Sequence, residues 1–296
     1  MSALSWLGVW VAGDNLLNSA AFQMAPIKLF WWKGIPNFGD VLSSLVVANV
    51  SGRKVTHAGP KGCDLVAVGS LLQVIRRNFS QAVEHRMKPF VWGTGLLHPV
   101  PTDFLPNVNV ALVRGPVTAA LLGVKTRQFG DPGLLTADLI DEIPSVQDRV
   151  ALVPHHSQVD DPEIQALVRS EPALDLVDPR ADALEVCRRI ASSRHVIASS
   201  LHGLIVADAF GVPSTWLSPG EQSHLKYHDY AASVGRPLIS PIEAHEVPGV
   251  LSSLKDGTEL TYGDGIARAR ADLIETFPAH LRAAPDNTRA FAAGQR

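Results

Sequence analysis

Cysteine is scarce in this 296-residue chain: Cys63 and Cys187 are too few to build a disulfide framework, so both are expected as reduced thiols of a cytoplasmic protein. A basic excess is also missing. The 26 Lys and Arg stand against 29 Asp and Glu, a formal charge of −3, which argues against a dedicated nucleic-acid binder. No apolar run approaches the roughly 20 residues a membrane-spanning helix requires, and there is no low-complexity tract or internal repeat. What is present is a composition 46% hydrophobic and 19% charged. That is material for a packed core and excludes disordered, collagen-like and coiled-coil chains. The length suits two domains, or one large α/β domain.

Residues 1–26 carry a single charged side chain, Asp14. No basic segment precedes their apolar stretch, so a secretory signal is not expected. Leu4 to Val11 has the pattern of a short apolar helix, and Met24-Ala25-Pro26 before a clear strand looks like a natural beginning. Arg76, Arg77, Arg86 and Lys88 form a local basic cluster. It suits a solvated helix face and loop, or a face turned to an anionic partner or a membrane surface.

Downstream, short apolar strands alternate with amphipathic helices. Strands are expected at Ile27–Trp32, Asp64–Val68, Phe90–Trp92, Val108–Val113 and Arg127–Phe129. Helices are expected from Asp40 to about Asn49, from Leu71, and from Pro116, whose missing N–H suits a first helical position. The acidic, proline-containing stretch Asp138–Asp148 reads as a linker, after which the pattern restarts. Strands at Arg149–Val153, Leu174–Val177, His195–Ala198 and Ser214–Leu217 alternate with helices at Glu163–Ser170, Ala181–Ser192 and Leu201–Phe210, the last closed by Gly211. Such repeated strand–turn–helix units predict parallel sheets flanked by helices. The expected architecture is α/β: an extension (1–26) and two Rossmann-like domains (27–145 and 146–296) facing a central cleft, the last helix free to pack back on the first domain.

In open parallel sheets ligands bind beyond the carboxyl ends of the strands. The conspicuous glycine and polar residues fall there: Asn37-Phe38-Gly39-Asp40, Gly69-Ser70, Trp92-Gly93-Thr94-Gly95, Arg114-Gly115-Pro116, Gly130-Asp131-Pro132-Gly133, His155-His156 and Ser199-Ser200-Leu201-His202-Gly203. The last opens a helix, whose free N–H groups and partial positive charge attract a phosphate or carboxylate. Its serines add donors, and His202 is placed to give that anion a proton or a hydrogen bond. The same residues also satisfy a plain serine N-cap with an incidental histidine. His155 and His156 lack a third ligand at metal-like spacing, so hydrogen bonding to the same anion suits them better than zinc. Lys226 lies either on a segment able to close over a phosphate or at the start of a surface helix. Asp40 reads as a base toward a sugar hydroxyl or as a helix-terminal acid favouring the dipole. Trp31, Trp32 and Trp92 are able to stack on sugar rings, or lie buried as strand aromatics. Arg114 has the chemistry to clamp a carboxylate, or to pair with Asp131.

Taken in order, Asn37-Phe38-Gly39-Asp40, Val91-Trp92-Gly93-Thr94-Gly95, Val113-Arg114-Gly115-Pro116, Gly130-Asp131-Pro132-Gly133-Leu134-Leu135 and Ser199-Ser200-Leu201-His202-Gly203 with Val206-Ala207-Asp208-Ala209 resemble the polysaccharide pyruvyl transferase family, most of all its exopolysaccharide ketal-forming members of the succinoglycan and xanthan kind. The resemblance runs from about Leu29 to Phe277. It implies a fold similar to glycosyltransferase type B, phosphoenolpyruvate as co-substrate with no cofactor or metal, and a sugar acceptor often carried on a polyprenyl-diphosphate lipid. In one respect the chain departs. Wider family members carry an arginine two residues before the motif histidine, where this chain has Ser200. Another cation, from Lys226, Arg114 or His155, would then supply the missing positive charge.

The resemblance thus implies His202 as general acid and Asp40 as base, with Ser199, Ser200, His155, Lys226 and Arg114 on the donor and Asn37, Trp92 and Asp131 on the acceptor. Two alternatives stand beside it. A nucleotide-sugar glycosyltransferase of the same architecture would want an acid for the ribose, for which Asp229 or Glu221 is available. A non-catalytic polysaccharide-assembly partner would bind acceptor without releasing phosphate.

Overall fold

A computed structural model describes residues 25–81, 87–143, 145–237, 240–255, 257 and 259–283. The expectations for residues 1–23 and for Arg86 lie outside them. In the N-terminal half, strands β1 (Ile27–Phe30), β2 (Val55–His57), β3 (Leu65–Val66), β4 (Phe90–Trp92) and β5 (Asn109–Leu112) form an all-parallel sheet of order β2-β1-β3-β4-β5. In the C-terminal half, β6 (Gln147–Val153), β7 (Leu174–Leu176), β8 (Ser193–Ala198) and β9 (Ser214–Trp216) form a second parallel sheet of order β7-β6-β8-β9. The chain is therefore α/β with two Rossmann-like sheets.

Parallel strands need crossover connections, and helices supply most of them. They are α1 (Phe38–Ser51), α2 (Leu72–Phe79), α4 (Pro162–Ser170), α5 (Ala183–Ala191) and α6 (Leu201–Ala209), while α3 (Pro116–Leu122) follows β5 on the way out of the first sheet. Because these helices cover the sheets, strand residues such as Leu29, Leu65, Val91, Leu152 and Ile197 are completely buried. Strand β2 carries only the short, half-exposed sequence Val55-Thr56-His57, and no hydrophobic alternation announces it. The strand expected at Arg127–Phe129 reduces to one bridge between Val113 and Phe129. Asp131 caps a 3₁₀ helix, Pro132–Leu139, that runs into the expected linker and packs on both α1 and α6.

Three further helices follow β9: α7 (Leu225–Val234), α8 (Val247–Ser253) and α9 (Gly263–Thr276). Two of them reach back to the first half. Helix α7 lies on α3, and α9 packs beside β5 and the Pro132–Leu139 segment. Among the described residues no helix is long and apolar enough to cross a membrane.

Candidate active site

Two helix N-termini meet between the sheets. Helix α1 follows β1 and is capped by Asn37, whose Oδ1 accepts the Gly39 N–H at 3.3 Å. Helix α6 follows β8 and is capped by Ser200, whose Oγ accepts the Gly203 N–H at 3.3 Å. The Phe38 N–H donates across the interface to the Pro179 carbonyl at 2.8 Å. The His202 ring sits edge-on to Phe38, with centroids 6.4 Å apart, and against Gly39, where any Cβ would overlap the imidazole. Gly39 is thus a close-approach residue that lets a histidine of the second half enter the first turn of a helix of the first.

Beside this junction lies a cavity of about 390 Å³. The first half contributes Trp32, Asn37, Asp40, Ser70 and Arg77 to its wall; the second contributes His155, His156, Ser200, His202, Gln222 and Lys226. Asn37 Nδ2 donates to Asp40 Oδ2 at 3.0 Å. Lys226 Nζ donates to Gln222 Oε1 at 2.9 Å, and Gln222 Nε2 lies 3.3 Å from His155 Nδ1. The His155 and His156 rings lie tilted against each other with centroids 4.0 Å apart.

Burial governs the electrostatics. It pushes the Asp40 carboxyl up to about 6, partly offset by the Asn37 hydrogen bond and the positive charge of Lys226. It pulls Lys226 down to about 8, with Arg114 adding to the fall and Asp40 opposing it. His202 falls to about 3, first through burial and then through Lys226 and Arg114. His155 falls to about 3 through burial, Lys226 and His156; His156 is lowered chiefly by burial. Near neutral pH the site therefore combines a largely charged lysine, a carboxylate close to its titration point and neutral imidazoles, with the amino end of α6 between them.

Four expected contacts are placed elsewhere. Arg114 is fully buried and off the cavity wall: Nε donates to Asp229 Oδ2 at 3.0 Å, Nη1 to Ser70 Oγ at 2.8 Å and Nη2 to the Leu96 carbonyl at 2.9 Å. Its hydrogen-bonded ion-pair partner is thus Asp229 on α7 and not Asp131. Trp92 is a core residue whose Nε1 donates to the Leu273 carbonyl at 3.0 Å while its ring meets Phe277 edge-on. Asp131 is completely buried as the cap of the 3₁₀ helix, accepting the Gly133 N–H at 2.9 Å. Ser199 is buried behind the wall, where its Oγ donates to Gln158 Oε1 at 2.6 Å and accepts the His155 N–H at 2.8 Å. It shapes the loop that carries His155. For Arg114, Trp92 and Ser199 a group from elsewhere in the chain covers the strand end, whereas Asp131 is used locally by its own turn.

The basic cluster does not form one patch. Arg76 pairs with Asp103, Arg77 lines the cavity, and Lys88 lines a separate recess beside Arg53 and Asp64. Of the acids considered for a ribose, Asp229 is consumed by Arg114 and Thr118, and Glu221 is exposed off the cavity wall. Sequence reasoning missed Gln222, whose one available signal is its place four residues before Lys226. It placed Arg77 in a basic cluster open to an anionic partner, a membrane or solvent, and not on this cavity. Among the described residues no group of three or more His, Cys, Asp or Glu is placed to hold a metal.

Comparison with known proteins bears on this site. The succinoglycan biosynthesis protein ExoV of Rhizobium meliloti is 34% identical over 194 residues, 60% of this chain and 57% of that protein. An uncharacterized protein, L143, of Acanthamoeba polyphaga mimivirus is 30% identical over 163 residues, 49% of this chain and 54% of its own. The chain thus spans just over half the length of these relatives. A solved structure, UDP-GlcNAc 2-epimerase of Methanocaldococcus jannaschii with UDP-GlcNAc and UDP, superposes with a TM-score of 0.42 at 12% identity, covering 73% of this chain and 76% of that one, a likeness too loose to bear on function. The family profile described as polysaccharide pyruvyl transferase matches residues 16–221, a span that includes both capped helix starts and every cavity residue named above except Gln222 and Lys226. This chain belongs to the polysaccharide pyruvyl transferase family.

Proposed function

We propose that this protein transfers pyruvate from phosphoenolpyruvate to a sugar of an exopolysaccharide repeat unit, forming a cyclic ketal and releasing phosphate. One observation carries the reading: a single cavity joins the amino end of α6, Lys226 and His202 on one wall to Asp40 on the other. The first group suits a small polyanion and the second a hydroxyl. Family membership and the relative named for succinoglycan biosynthesis support the reaction class and a polysaccharide acceptor. A lipid-linked glycan encountered at the inner face of the membrane is the form of acceptor we favour.

The chemistry follows from the electrostatics. A neutral imidazole with a pKa near 3 is a poor proton donor at neutral pH. A phosphoenolpyruvate beside Lys226 and the α6 amino end brings several negative charges to His202 and raises its proton affinity, so donor binding arms the acid. His202 then protonates the methylene carbon, and the adjacent carbon becomes oxocarbenium-like. A sugar hydroxyl attacks that carbon as Asp40, titrating near 6, takes its proton. The carbon–oxygen bond to phosphate breaks, and a second hydroxyl of the same sugar closes the ring. One hydroxyl proton replaces the proton given to the methyl group, and the other leaves with phosphate. Ser200, His155 and His156 hold the donor, and Lys226 takes the place of the arginine this chain lacks at position 200.

Incubation with isotopically labelled phosphoenolpyruvate and a panel of hexosides, read by mass and by phosphate release, tests the proposal. Acceptor-dependent phosphate release with label in the sugar product is expected. Turnover of a nucleotide sugar, or acceptor binding with no phosphate released, would overturn it.

A further inference from the structure

The acceptor wall carries an aromatic residue with no partner role in the fold. Of the three tryptophans near strand ends in the first half, Trp31 is 9% exposed and Trp92 is fully buried, whereas Trp32 is 46% exposed and lines the cavity. It is also held in place. A Cβ on Gly34 would come within 2.8 Å of Trp32 Nε1 and 2.9 Å of Cε2 and Cζ2, so the edge of the indole lies folded over the glycine. An exposed indole fixed against a loop offers a flat apolar face with little side-chain entropy left to lose on binding. Leu71, Val74 and Leu97 continue the apolar surface, and Asn37 and Asp40 supply polar groups on the same wall. The charged Lys226 and the neutral imidazoles of His155 and His156 belong to the opposite wall, while Arg77 belongs to this one.

From this division we infer that Trp32 is the platform for the acceptor sugar. The C–H face of a hexose ring rests on the indole while its hydroxyls turn toward Asn37 and Asp40. The inference deepens the proposed function and rests on it for the placing of donor and acceptor. Ile35 (47% exposed) and Val41 (42% exposed) are exposed apolar residues next in the chain to this wall. An anionic membrane surface is therefore the rival occupant, and the test separates the two.

With the full chain and a methyl hexoside that serves as substrate, Trp32→Ala is expected to raise the acceptor KM about three- to tenfold, the range an aromatic contact accounts for. The KM for phosphoenolpyruvate should stay unchanged, and Trp32→Phe should recover most of the loss. Gly34→Ala, which displaces the indole without removing it, should move the acceptor KM in the same direction by less. Independently of turnover, the hexoside should perturb the wild-type tryptophan fluorescence, and Trp32→Phe should abolish that change. If no pyruvyl transfer occurs but the sugar-dependent fluorescence change still depends on Trp32, the subsite stands and the reaction assignment falls. An unchanged acceptor KM in Trp32→Ala overturns the platform. So does a fluorescence response to anionic phospholipid vesicles but not to the hexoside.

Discussion

Helix α7 carries two buried charges three residues apart that lead opposite lives. Asp229 is fully enclosed and fully used: its carboxylate takes Arg114 Nε at 3.0 Å, the Thr118 N–H at 2.8 Å and the Thr118 hydroxyl at 2.6 Å. Gly115 lets the α7 backbone approach so closely that any Cβ there would strike the Asp229 carbonyl. Among the described residues Lys226, one turn earlier, has Gln222 as its one hydrogen-bond partner; its proton affinity is depressed, and it lines the cavity. Its other electrostatic partner, Asp40, is not hydrogen-bonded to it and is itself displaced upward. A buried charge whose bonds are all spent fastens one half of the molecule to the other. A buried charge left with bonds to make is held ready for a ligand.

The sharpest way to break this comparison is through His202. Replacing it with alanine should lower turnover on the order of 10²–10⁴-fold while the unfolding transition stays cooperative. Near-normal turnover would remove the acid from the mechanism. Asp229→Ala should do the reverse. It strands Arg114 without a counter-charge and should cost about 3–5 kcal/mol of stability by denaturant unfolding, as the loss of one member of a buried pair does. A loss under about 1 kcal/mol would mean the pair is not the fastening described here. Lys226→Met comes next. Stability should hold or rise, because a desolvated ammonium is removed, while the KM for phosphoenolpyruvate rises on the order of 10²-fold. A simple stability loss with unchanged donor KM would place Lys226 with Asp229.

The same contrast explains what the sequence showed and what it hid. The strand–turn–helix rhythm made both parallel sheets legible, and the rule that ligands sit at strand ends located Asp40, His155, Ser200 and His202 on one cavity. The rule failed for Trp92, Arg114, Asp131 and Ser199. Glycine, proline and short polar side chains at a βα turn serve packing as readily as binding, and their local sequence is alike in both cases. What decides is the element laid over the turn, and this comes from far away: α9 over Trp92, α7 over Arg114, and the Gln158 amide over Ser199. The sequence offers Trp32 with Trp31 and Trp92 as able to stack on a sugar, but it does not separate the three. The strand ends at Phe30, before the Trp32 expected as its last residue, and burial then leaves Trp32 alone of the three exposed.

Asp131 tests the comparison from between its two poles, with the smallest expected effect. Like Asp229 it is completely buried, but Oδ1 is used in the helix cap while Oδ2 has no hydrogen-bond partner among the described residues. Burial pushes its pKa up to about 6, against the pull of Arg114 and the Gly133 N–H and with a small addition from Asp229. The folded chain therefore binds a proton that the unfolded chain releases between about 6 and 3.8, so this residue makes the protein less stable as the pH rises through that window. The buried His202 and the half-buried His155 and His195 act the other way. Their folded values near 3 to 4 lie below the ordinary 6.5, so they withdraw stability as the pH falls below about 6.5. Asp131→Asn keeps a cap acceptor for Gly133 and deletes only the ionisable carboxyl. It should stabilise the protein by at most about 3 kcal/mol near pH 7.5, by less near pH 5, and leave the histidine-driven loss below pH 6.5 steeper than in the wild type. Thermal melts across that range decide the matter. A destabilised variant at pH 7.5 would mean that the Arg114 attraction outweighs burial, and that Asp131 belongs with Asp229 among the fastenings.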